Sequence, residues 1–381
     1  MIGLVDLQRQ RAALEPGLSG AIQRVIGHGG FVNGPDVGVL ETALADLVGV
    51  SDVVTCANGT DALQLLLRAA NVGPGDCVFV PSLTFASTAE AVALVGAVPV
   101  FVDVSAASGT MCPASLREAI DAVRTSSDVT PRAVIAVDLF SIPAENDAIT
   151  EVCRDCGLWF FVDAAHSIGT QTPQGRCGSF GDGAATSFYP SKALGCYGDG
   201  GAVFTHNAAF AKRMRSIANH GVSAGTASHD FVGTNSRLDT LQAAILLEKL
   251  KVFQLELAAR RVVAARYRAE LQWACDLPVV GAGTAPAWSY FAIRHSERDL
   301  LRKHLEAAGI RSIAYYSVPI HAHPAFANCP TAPNGLPGTM SFADTLLCLP
   351  LHPYLTEAEV GRVIGAVLSF EGQGAFASRT A

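Results

Sequence analysis

Apolar and amphipathic segments alternate along the first half of the chain, from residue 53 to about residue 205. The short apolar runs, rich in β-branched residues, predict strands at VVTC, CVFVPS, PVFVDV, AVIAVDLF and LWFFVDAA. The stretches between them predict helices at GTDALQLLLRAA, STAEAVALVGA, PASLREAIDAV and AENDAITEVCRDCG. Such repetition is typical of a mostly parallel sheet with helices on both faces, so the predicted fold class is α/β.

The alternation ends near Lys192. Two further strand candidates, ATSFY and GAVFTH, are separated by glycine-rich turns with no helical pattern between them. Ligands of open α/β sheets bind where the topology changes. We therefore expect a functional site near Lys192.

The segment after Ser236 has longer helical patterns. RLDTLQAAILLEKLKVFQLELAARRVVAARYRAEL predicts a connecting helix. A smaller α/β domain is then predicted by three segments, SYFAIRH, ERDLLRKHLEAAG and TEAEVGRVIGAVLSF. Loops are predicted at GTAPAW and at residues 321–340. At 381 residues the chain exceeds the size that one hydrophobic core usually serves. We expect a large domain over residues 1–250 and a small C-terminal domain over residues 251–381.

The charge pattern excludes several classes of partner. Charged residues are 16% of the chain, the formal net charge is -7, and no Lys/Arg-rich run occurs, so neither nucleic acid nor an anionic membrane is an expected partner. The N-terminus, MIGLVDLQRQ, lacks the regions of a signal peptide. The longest apolar stretch, residues 91–102, is too short to span a bilayer. We expect a soluble, cytoplasmic protein that binds small molecules.

Cysteine usage points to reduced thiols. Ten cysteines are scattered over the chain without a disulfide-framework spacing. Cys153 and Cys156 form a CxxC inside a predicted helix, and no second pair stands at zinc-ligand spacing. We therefore expect helix packing for this pair, and no metal.

Asp163 and Lys192 are the first candidates for chemistry. Asp163, in VDAAHSIG, ends a predicted parallel strand, where ligands of such sheets bind. Taken alone, this segment favours an ordinary N-cap or loop-anchoring role. Lys192, in SFYPSKALGCYGDGGAV, is surrounded by small and aromatic residues, which predicts a pocket. Burial there favours the neutral amine, which suits Schiff-base chemistry.

The turn after the first predicted strand is a candidate phosphate seat. In CANGTDALQ, the strand runs through Asn58 and Gly59 into a helix whose first turn contains Thr60. Free N–H groups and the helix dipole attract phosphate there. The pattern also fits an ordinary strand-turn-helix, and it does not match the G-x-G-x-x-G of a Rossmann oxidoreductase.

Together and in this order, these segments resemble fold-type-I pyridoxal-phosphate enzymes, specifically the sugar aminotransferase family of the DegT and StrS proteins. The motifs that carry the likeness are FVNGPDVGVLE, CANGTDALQ, VPSLTFASTAEAV, VDAAHSIG, SFYPSKALGCYGDGGAVFT, NSRLDTLQAAILLEKL, YYSVPIHAHPAF and LPLHPYLT. The resemblance implies a large domain with a mostly parallel seven-stranded sheet, a smaller C-terminal α/β domain, and pyridoxal 5′-phosphate as cofactor.

The resemblance assigns the chemistry to the two candidates above. Lys192 would carry the cofactor covalently and then move a proton between substrate and cofactor. Asp163 would keep the pyridine nitrogen protonated, which makes the ring an electron sink. The sugar dehydratase branch of the family carries His in place of the lysine, so position 192 argues against dehydration.

Further residues would hold the cofactor ring. The resemblance implies that Phe85 stacks on one face of the ring and that Ala165 packs on the other. His166 would contact the phenolic oxygen of the ring, and its alternative role is that of a hydrogen-bonded core histidine.

In the site that the resemblance implies, residues of two subunits bind the phosphate of the cofactor. Gly59, Thr60 and Ser187 would hold the phosphate, together with Asn235 from a neighbouring subunit, which implies a homodimer. Arg237 would present its guanidinium to a substrate carboxylate, or would serve as an interface residue.

The implied reaction is a ping-pong transfer of an amine from glutamate to a keto sugar attached to a nucleotide. NSRLDTLQAAILLEKL and SKALGCYGDGGA are most similar to the branch that aminates carbon 3 of UDP-2-acetamido-2-deoxy-3-oxo-glucuronate, a reaction of amino sugar biosynthesis for lipopolysaccharide or O-antigen. One departure concerns the substrate contacts: that branch often has His-Tyr before a Pro-rich loop, and this chain has Tyr315 and Tyr316, followed by Ser317.

Two alternatives remain open within the resemblance. One is an aminotransferase that acts on a dTDP-linked 3-oxo-6-deoxyhexose. The other is a non-catalytic regulator that keeps the fold and the cofactor, although the chain has no predicted DNA-binding segment.

Overall fold

The computed structural model describes residues 1–126, 128–222, 225 and 228–374. The helices are α1 (Leu7–Leu14), α2 (Gly17–His28), α3 (Pro35–Val48), α4 (Gly59–Ala69), α5 (Ser87–Leu94), α6 (Pro113–Ser126), α7 (Asn146–Cys156), α8 (Ala208–Ala218), α9 (Thr240–Leu250), α10 (Phe253–Leu271), α11 (Arg298–Ala307), α12 (Pro337–Thr345) and α13 (Glu357–Gly374). The strands are β1 (Asp52–Cys56), β2 (Asp76–Pro81), β3 (Val98–Val102), β4 (Thr130–Val137), β5 (Trp159–Asp163), β6 (Gln171–Thr172), β7 (Gly175–Arg176), β8 (Gly183–Ser187), β9 (Gly201–Thr205), β10 (Phe291–Arg294) and β11 (Leu346–Leu349).

Seven strands form the central sheet in the order β1-β9-β8-β5-β4-β2-β3. β8, β5, β4, β2 and β3 run parallel, whereas β9 is antiparallel to both of its neighbours, β1 and β8. The prediction of an α/β fold with a mostly parallel seven-stranded sheet is therefore confirmed. β8 and β9 follow each other without an intervening helix, as the glycine-rich turns between them predict.

The sheet is buried on both faces. Successive residues of β2, from Cys77 to Val80, are all fully buried, although their side chains alternate between the two faces. Strands covered on both sides lose the alternation of apolar and polar positions, which explains the continuous apolar runs in the sequence.

A second core lies in the C-terminal part of the chain. It combines α10, α11 and α13 with the antiparallel pair of β10 and β11. α10 contributes to two cores, because Phe253 packs in the core around the central sheet and Tyr267 packs in the second core. Ile2 also packs in the second core and pairs with Ile310. The division into residues 1–250 and 251–381 stays a prediction, and residues 375–381 lie outside the described part of the chain.

Two local expectations differ from the structure. The long connecting helix is divided into α9 and α10, because the N–H groups of Lys251 and Val252 donate to the carbonyls three residues earlier and so tighten and end α9. The predicted loop over residues 321–340 ends early, since α12 begins at Pro337. Proline has a backbone angle suited to the first turn of a helix.

The described part of the chain contains neither a candidate membrane helix nor a metal-binding cluster. None of its helices combines the length and the apolar character needed to cross a membrane. No cluster of His, Cys, Asp or Glu within it is arranged to hold a metal ion. Its cysteines are free thiols, including Cys153 and Cys156 on α7.

Candidate active site

A cavity of about 730 Å³ lies at the carboxyl ends of the parallel strands. Asp163 ends β5, Ser187 ends β8, and Lys192 lies in the connection between β8 and β9. The predicted site residues that line this cavity are Gly59, Thr60, Phe85, Asp163, Ala165, His166, Ser187, Lys192, Tyr315 and Tyr316. The volume is typical of a ligand pocket, which suits a cofactor together with a substrate.

Lys192 and Asp163 perturb each other electrostatically inside this cavity. Burial lowers the pKa of the Lys192 amine to about 8, and the negative charge of Asp163 opposes that shift. Burial also raises the pKa of Asp163. A hydrogen bond from the Ala165 N–H, the charge of Lys192 and a hydrogen bond from Thr88 all act in the opposite direction. A buried amine with a substantial neutral fraction therefore shares the cavity with a buried carboxylate.

Thr88 is a site residue that the sequence did not single out. Its hydroxyl donates to Asp163 Oδ2 over 3.0 Å, and the Ala165 N–H donates to Asp163 Oδ1 over 3.1 Å. The Thr88 and Thr84 hydroxyls lie 3.3 Å apart, and since Thr88 gives its single proton to Asp163, Thr84 is the donor. The sequence signal for Thr88 was its position within the motif VPSLTFASTAEAV.

The first turn of α4 forms the candidate phosphate seat. Asn58 caps this helix, and its side chain accepts the N–H of Asp61 over 2.8 Å. The N–H groups of Gly59 and Thr60 stand in the first turn, where intrahelical acceptors are missing. A Cβ on Gly59 would lie 2.8 Å from Ser187 Cβ, so only glycine fits this close approach. Ser187 Oγ accepts the N–H of Tyr189 over 3.2 Å, which leaves its own proton free to donate.

His166 is fixed from both its ring and its backbone. Its ring stacks on Phe140 with the centroids 5.7 Å apart, and the Phe140 N–H donates to Nδ1 over 3.4 Å. Its carbonyl accepts hydrogen bonds from Ser141 Oγ and Ser289 Oγ over 2.5 and 2.6 Å. Phe140 and Ser141 have φ angles of 52° and 71°. This left-handed conformation is energetically unfavourable for residues other than glycine. Burial and the Lys192 charge hold the pKa of His166 well below its usual value, so the ring is neutral.

Aromatic side chains form one wall of the cavity. Tyr316 lies 6.3 Å from Phe85 and 6.3 Å from Phe140, measured between ring centroids. Tyr315 meets Tyr290 edge to face at 5.5 Å. Phe85 is 57% exposed, so its ring is accessible to a ligand in the cavity. Tyr290, from the predicted strand SYFAIRH, was not expected in the site.

Asn235 and Arg237 do not line this cavity. Asn235 is exposed and forms an isolated bridge with Asn219, whose side chain accepts a hydrogen bond from Arg237 over 3.1 Å. Arg237 lines a different cavity, of about 790 Å³, beside α3 and α8. Within one chain, the structure thus brings together the predicted residues other than these two.

Residues 15–368 match the DegT/DnrJ/EryC1/StrS aminotransferase family. The chain belongs to this family. It is 41% identical over 372 residues to the UDP-2-acetamido-2-deoxy-3-oxo-D-glucuronate aminotransferase of Pseudomonas aeruginosa, a match that covers 97% of this chain and 100% of that protein. It is also 38% identical to the dTDP-3-amino-3,4,6-trideoxy-alpha-D-glucose transaminase of Streptomyces venezuelae, over 96% of this chain and 95% of the relative.

A solved structure of the same family has the same fold. The crystal structure of a DegT DnrJ EryC1 StrS aminotransferase from Brucella abortus superposes with a TM-score of 0.96 at 45% identity, covering 98% of this chain and 100% of that one. The chain is thus a pyridoxal-phosphate-dependent sugar aminotransferase, and this class was expected from its sequence. The residues present fit the cofactor, because an amine, a buried carboxylate and a phosphate seat line one cavity.

Proposed function

We propose that this protein transfers an amine from glutamate to carbon 3 of UDP-2-acetamido-2-deoxy-3-oxo-glucuronate, by a ping-pong mechanism and as a step of amino sugar biosynthesis. The observation that supports this reaction is that Lys192 and Asp163 line one cavity together with the candidate phosphate seat in the first turn of α4. The similarity to the Pseudomonas aeruginosa enzyme supports this choice of sugar.

The cofactor would be held by residues that end or follow four strands, β1, β2, β5 and β8. We assign its phosphate to the N–H groups of Gly59 and Thr60 and to the Ser187 hydroxyl, and its ring to the space between Phe85 and Ala165. When bound, pyridoxal phosphate supplies an electron sink for the charge that develops on the substrate carbon.

Lys192 moves the proton in this proposal. Its Nζ accepts a proton from the substrate carbon that bears the amine and returns one to the acceptor carbon in the second half-reaction. A pKa of about 8 leaves part of the amine neutral near neutral pH, so the same group can act as base and as acid.

Asp163 and His166 set the electrostatics around the ring. Asp163 offers a carboxylate to the ring nitrogen, and Thr88 holds Oδ2 in place for that contact. Because His166 Nδ1 accepts the Phe140 N–H, its Nε2 carries the ring proton and can donate it to the phenolic oxygen.

The charge around the cavity supports a homodimer. Asp61, Asp163 and Asp199 line it, whereas Lys192 is the only Lys or Arg among the described lining residues. A substrate with a diphosphate and a carboxylate needs more cations than the described residues of one chain place there. We assign Asn235 and Arg237 to the site of the partner subunit, where they would contact the phosphate and a substrate carboxylate. Tyr315 and Tyr316 would contact the sugar.

The test is an absorbance spectrum of the purified protein with glutamate and then with a panel of nucleotide-linked keto sugars. Glutamate should abolish the visible band of the bound cofactor, and the UDP-linked 3-oxo-glucuronate should restore it. Restoration by a dTDP-linked 3-oxo-6-deoxyhexose instead would correct the substrate. A band that persists in glutamate would favour the non-catalytic regulator, and a protein that never takes up the cofactor would overturn the proposal.

A further inference from the structure

The backbone around Lys192 folds back on itself. The N–H of Lys192 donates to the Tyr189 carbonyl over 2.9 Å, and the N–H of Cys196 donates to the Phe188 carbonyl over 2.7 Å. These hydrogen bonds close residues 188–196 into a loop, the lysine loop, which has Lys192 at its middle.

Lys249, near the end of α9, contacts the lysine loop where its two ends meet. Its Nζ donates to the Gly195 carbonyl over 2.5 Å and lies 4.4 Å from the centroid of the Tyr197 ring. Gly195 is tightly packed, because a Cβ on it would lie 2.6 Å from the Tyr189 carbonyl oxygen. The amine of Lys249 is therefore bonded to the point at which the loop closes.

A second residue of α9 contacts the same stretch of backbone. Gln242 Oε1 accepts the N–H of Tyr197 over 2.8 Å, and Gln242 Nε2 donates to the Tyr197 carbonyl over 3.2 Å. Gln242 and Lys249 are about two helical turns apart, so they lie on the same face of α9. This face presents an amide and an amine to the chain that follows Lys192.

Lys249 is a buried cation that the proposed reaction does not use. Its side chain is 2% exposed, and burial of a cation is unfavourable unless hydrogen bonds and nearby charges compensate for it. Burial lowers the pKa of this amine to about 8, and the charge of Glu256 opposes that shift. The amine is mostly protonated near pH 7, so its contacts with the Gly195 carbonyl and the Tyr197 ring are those of a cation. These contacts explain why a lysine lies here.

We propose that Lys249 is a positioning residue, which fixes the backbone of the lysine loop and thereby the position of Lys192 in the cavity that it shares with Asp163. Lys249 acts through Gly195 and Tyr197. A reacting group that is displaced even slightly loses much of its rate, so a fixed loop favours the attack of the Lys192 amine on the cofactor. This effect on Lys192 rests on its proposed function, whereas the contact between Lys249 and the loop does not.

Hydrogen exchange of the cofactor-free protein tests the contact directly. Lys249→Met removes the charge and the donor and keeps a flexible apolar side chain. We expect the amides of residues 192–197 to exchange about tenfold faster in this variant, with those of β4 unchanged. The matched control is Lys251→Met, just after α9, where the side chain is 66% exposed and exchange should match wild type. Exchange of the loop at the wild-type rate in Lys249→Met would overturn the proposal.

Two measurements with cofactor test the effect on Lys192. One is the rate at which cofactor-free protein captures pyridoxal phosphate, and the other is the affinity for pyridoxamine phosphate, which cannot bond to the lysine. We expect Lys249→Met to slow capture by about tenfold and to change the affinity by less than about twofold. Lys249→Arg keeps a cation that can donate and stack, so its capture rate should lie within about threefold of wild type.

The outcomes separate the positioning role from folding and from the proposed function. Faster exchange without slower capture, or equal slowing by a folded Lys249→Arg, would refute the positioning role. If melting temperatures show that Lys249→Met does not fold, Gln242→Leu replaces it, since it removes both hydrogen bonds to Tyr197 and should have the same effects. A wild-type protein that captures no cofactor would overturn the function of Lys192, and hydrogen exchange would still decide the contact of Lys249.

Discussion

The Thr88 hydroxyl donates to Asp163 Oδ2 over 3.0 Å, and both side chains are buried. This contact holds the carboxylate in one orientation and favours its ionised form against the desolvation that raises its pKa. The hydroxyl comes from the first turn of α5, so a helix beside the sheet supports a residue at the end of β5.

Thr88→Val should weaken cofactor binding without changing the shape of the core. Hydrogen bonds to charged groups contribute about 1.5–3 kcal/mol, so we expect the Kd for pyridoxal phosphate to rise by roughly tenfold or more. Titration of cofactor-free protein by absorbance measures this. Thr88→Ser, which keeps the hydroxyl, is the control. An unchanged Kd in Thr88→Val would show that the contact has no role in the ionised state of Asp163.

The capture of cofactor by Lys192 should depend on pH with a break near 8. The lowered pKa means that the protonated, unreactive amine predominates below pH 8, and capture should therefore rise by about tenfold per pH unit up to that value and then level off. Asp163→Asn removes the charge that raises this pKa, so its break should move to lower pH. Stopped-flow absorbance gives both profiles. A break at the pH of an exposed lysine would contradict the burial of the amine.

Gly59→Ala should damage the phosphate seat. The new Cβ would lie 2.8 Å from Ser187 Cβ, and relieving that overlap should cost about 1–3 kcal/mol of unfolding free energy and weaken cofactor binding. Denaturant unfolding and cofactor titration measure the two effects. Gly365→Ala, in open space on α13, is the matched control and should stabilise the protein by roughly 0.5–1 kcal/mol. Equal behaviour of the two variants would rule out a close approach at Gly59.

Mixing two inactive variants should restore activity if Asn235 completes the site of the partner subunit. Lys192→Ala and Asn235→Ala each damage every site of their own homodimers. A mixed dimer pairs the intact lysine of one subunit with the intact asparagine of the other. After unfolding and refolding equal amounts together, we expect about a quarter of the wild-type turnover. Sugar transamination assays measure it, and activity no higher than that of the separate variants would place Asn235 outside the site.

The sequence predicts the parts of the site that depend on local pattern. Asp163 and Ser187 end apolar strands, and Asn58 and Gly59 lie between a strand and a helix, so their meeting at one edge follows from the topology. The family resemblance then supplied Phe85 and the aromatic pair near residue 315.

The parts that the sequence leaves out depend on tertiary packing. Thr88 reads as an ordinary helical residue, since nothing in the pattern shows that its hydroxyl meets a carboxylate from another element. Lys249 belongs to the helical pattern that follows Ser236, and only the folded arrangement places its amine on the Gly195 carbonyl. The break after α9 has no proline or glycine to announce it.

The pairing of β1 with β9 also orders events during synthesis. Among the described strands, β1 lies at the edge of the sheet and pairs with β9 alone. A nascent chain that has passed residue 56 must therefore wait until residue 205 has left the ribosome before this ladder can close. Until then an apolar strand with unpaired backbone groups is exposed, a known route to aggregation. Translation stalled within that interval should leave the chain dependent on chaperones.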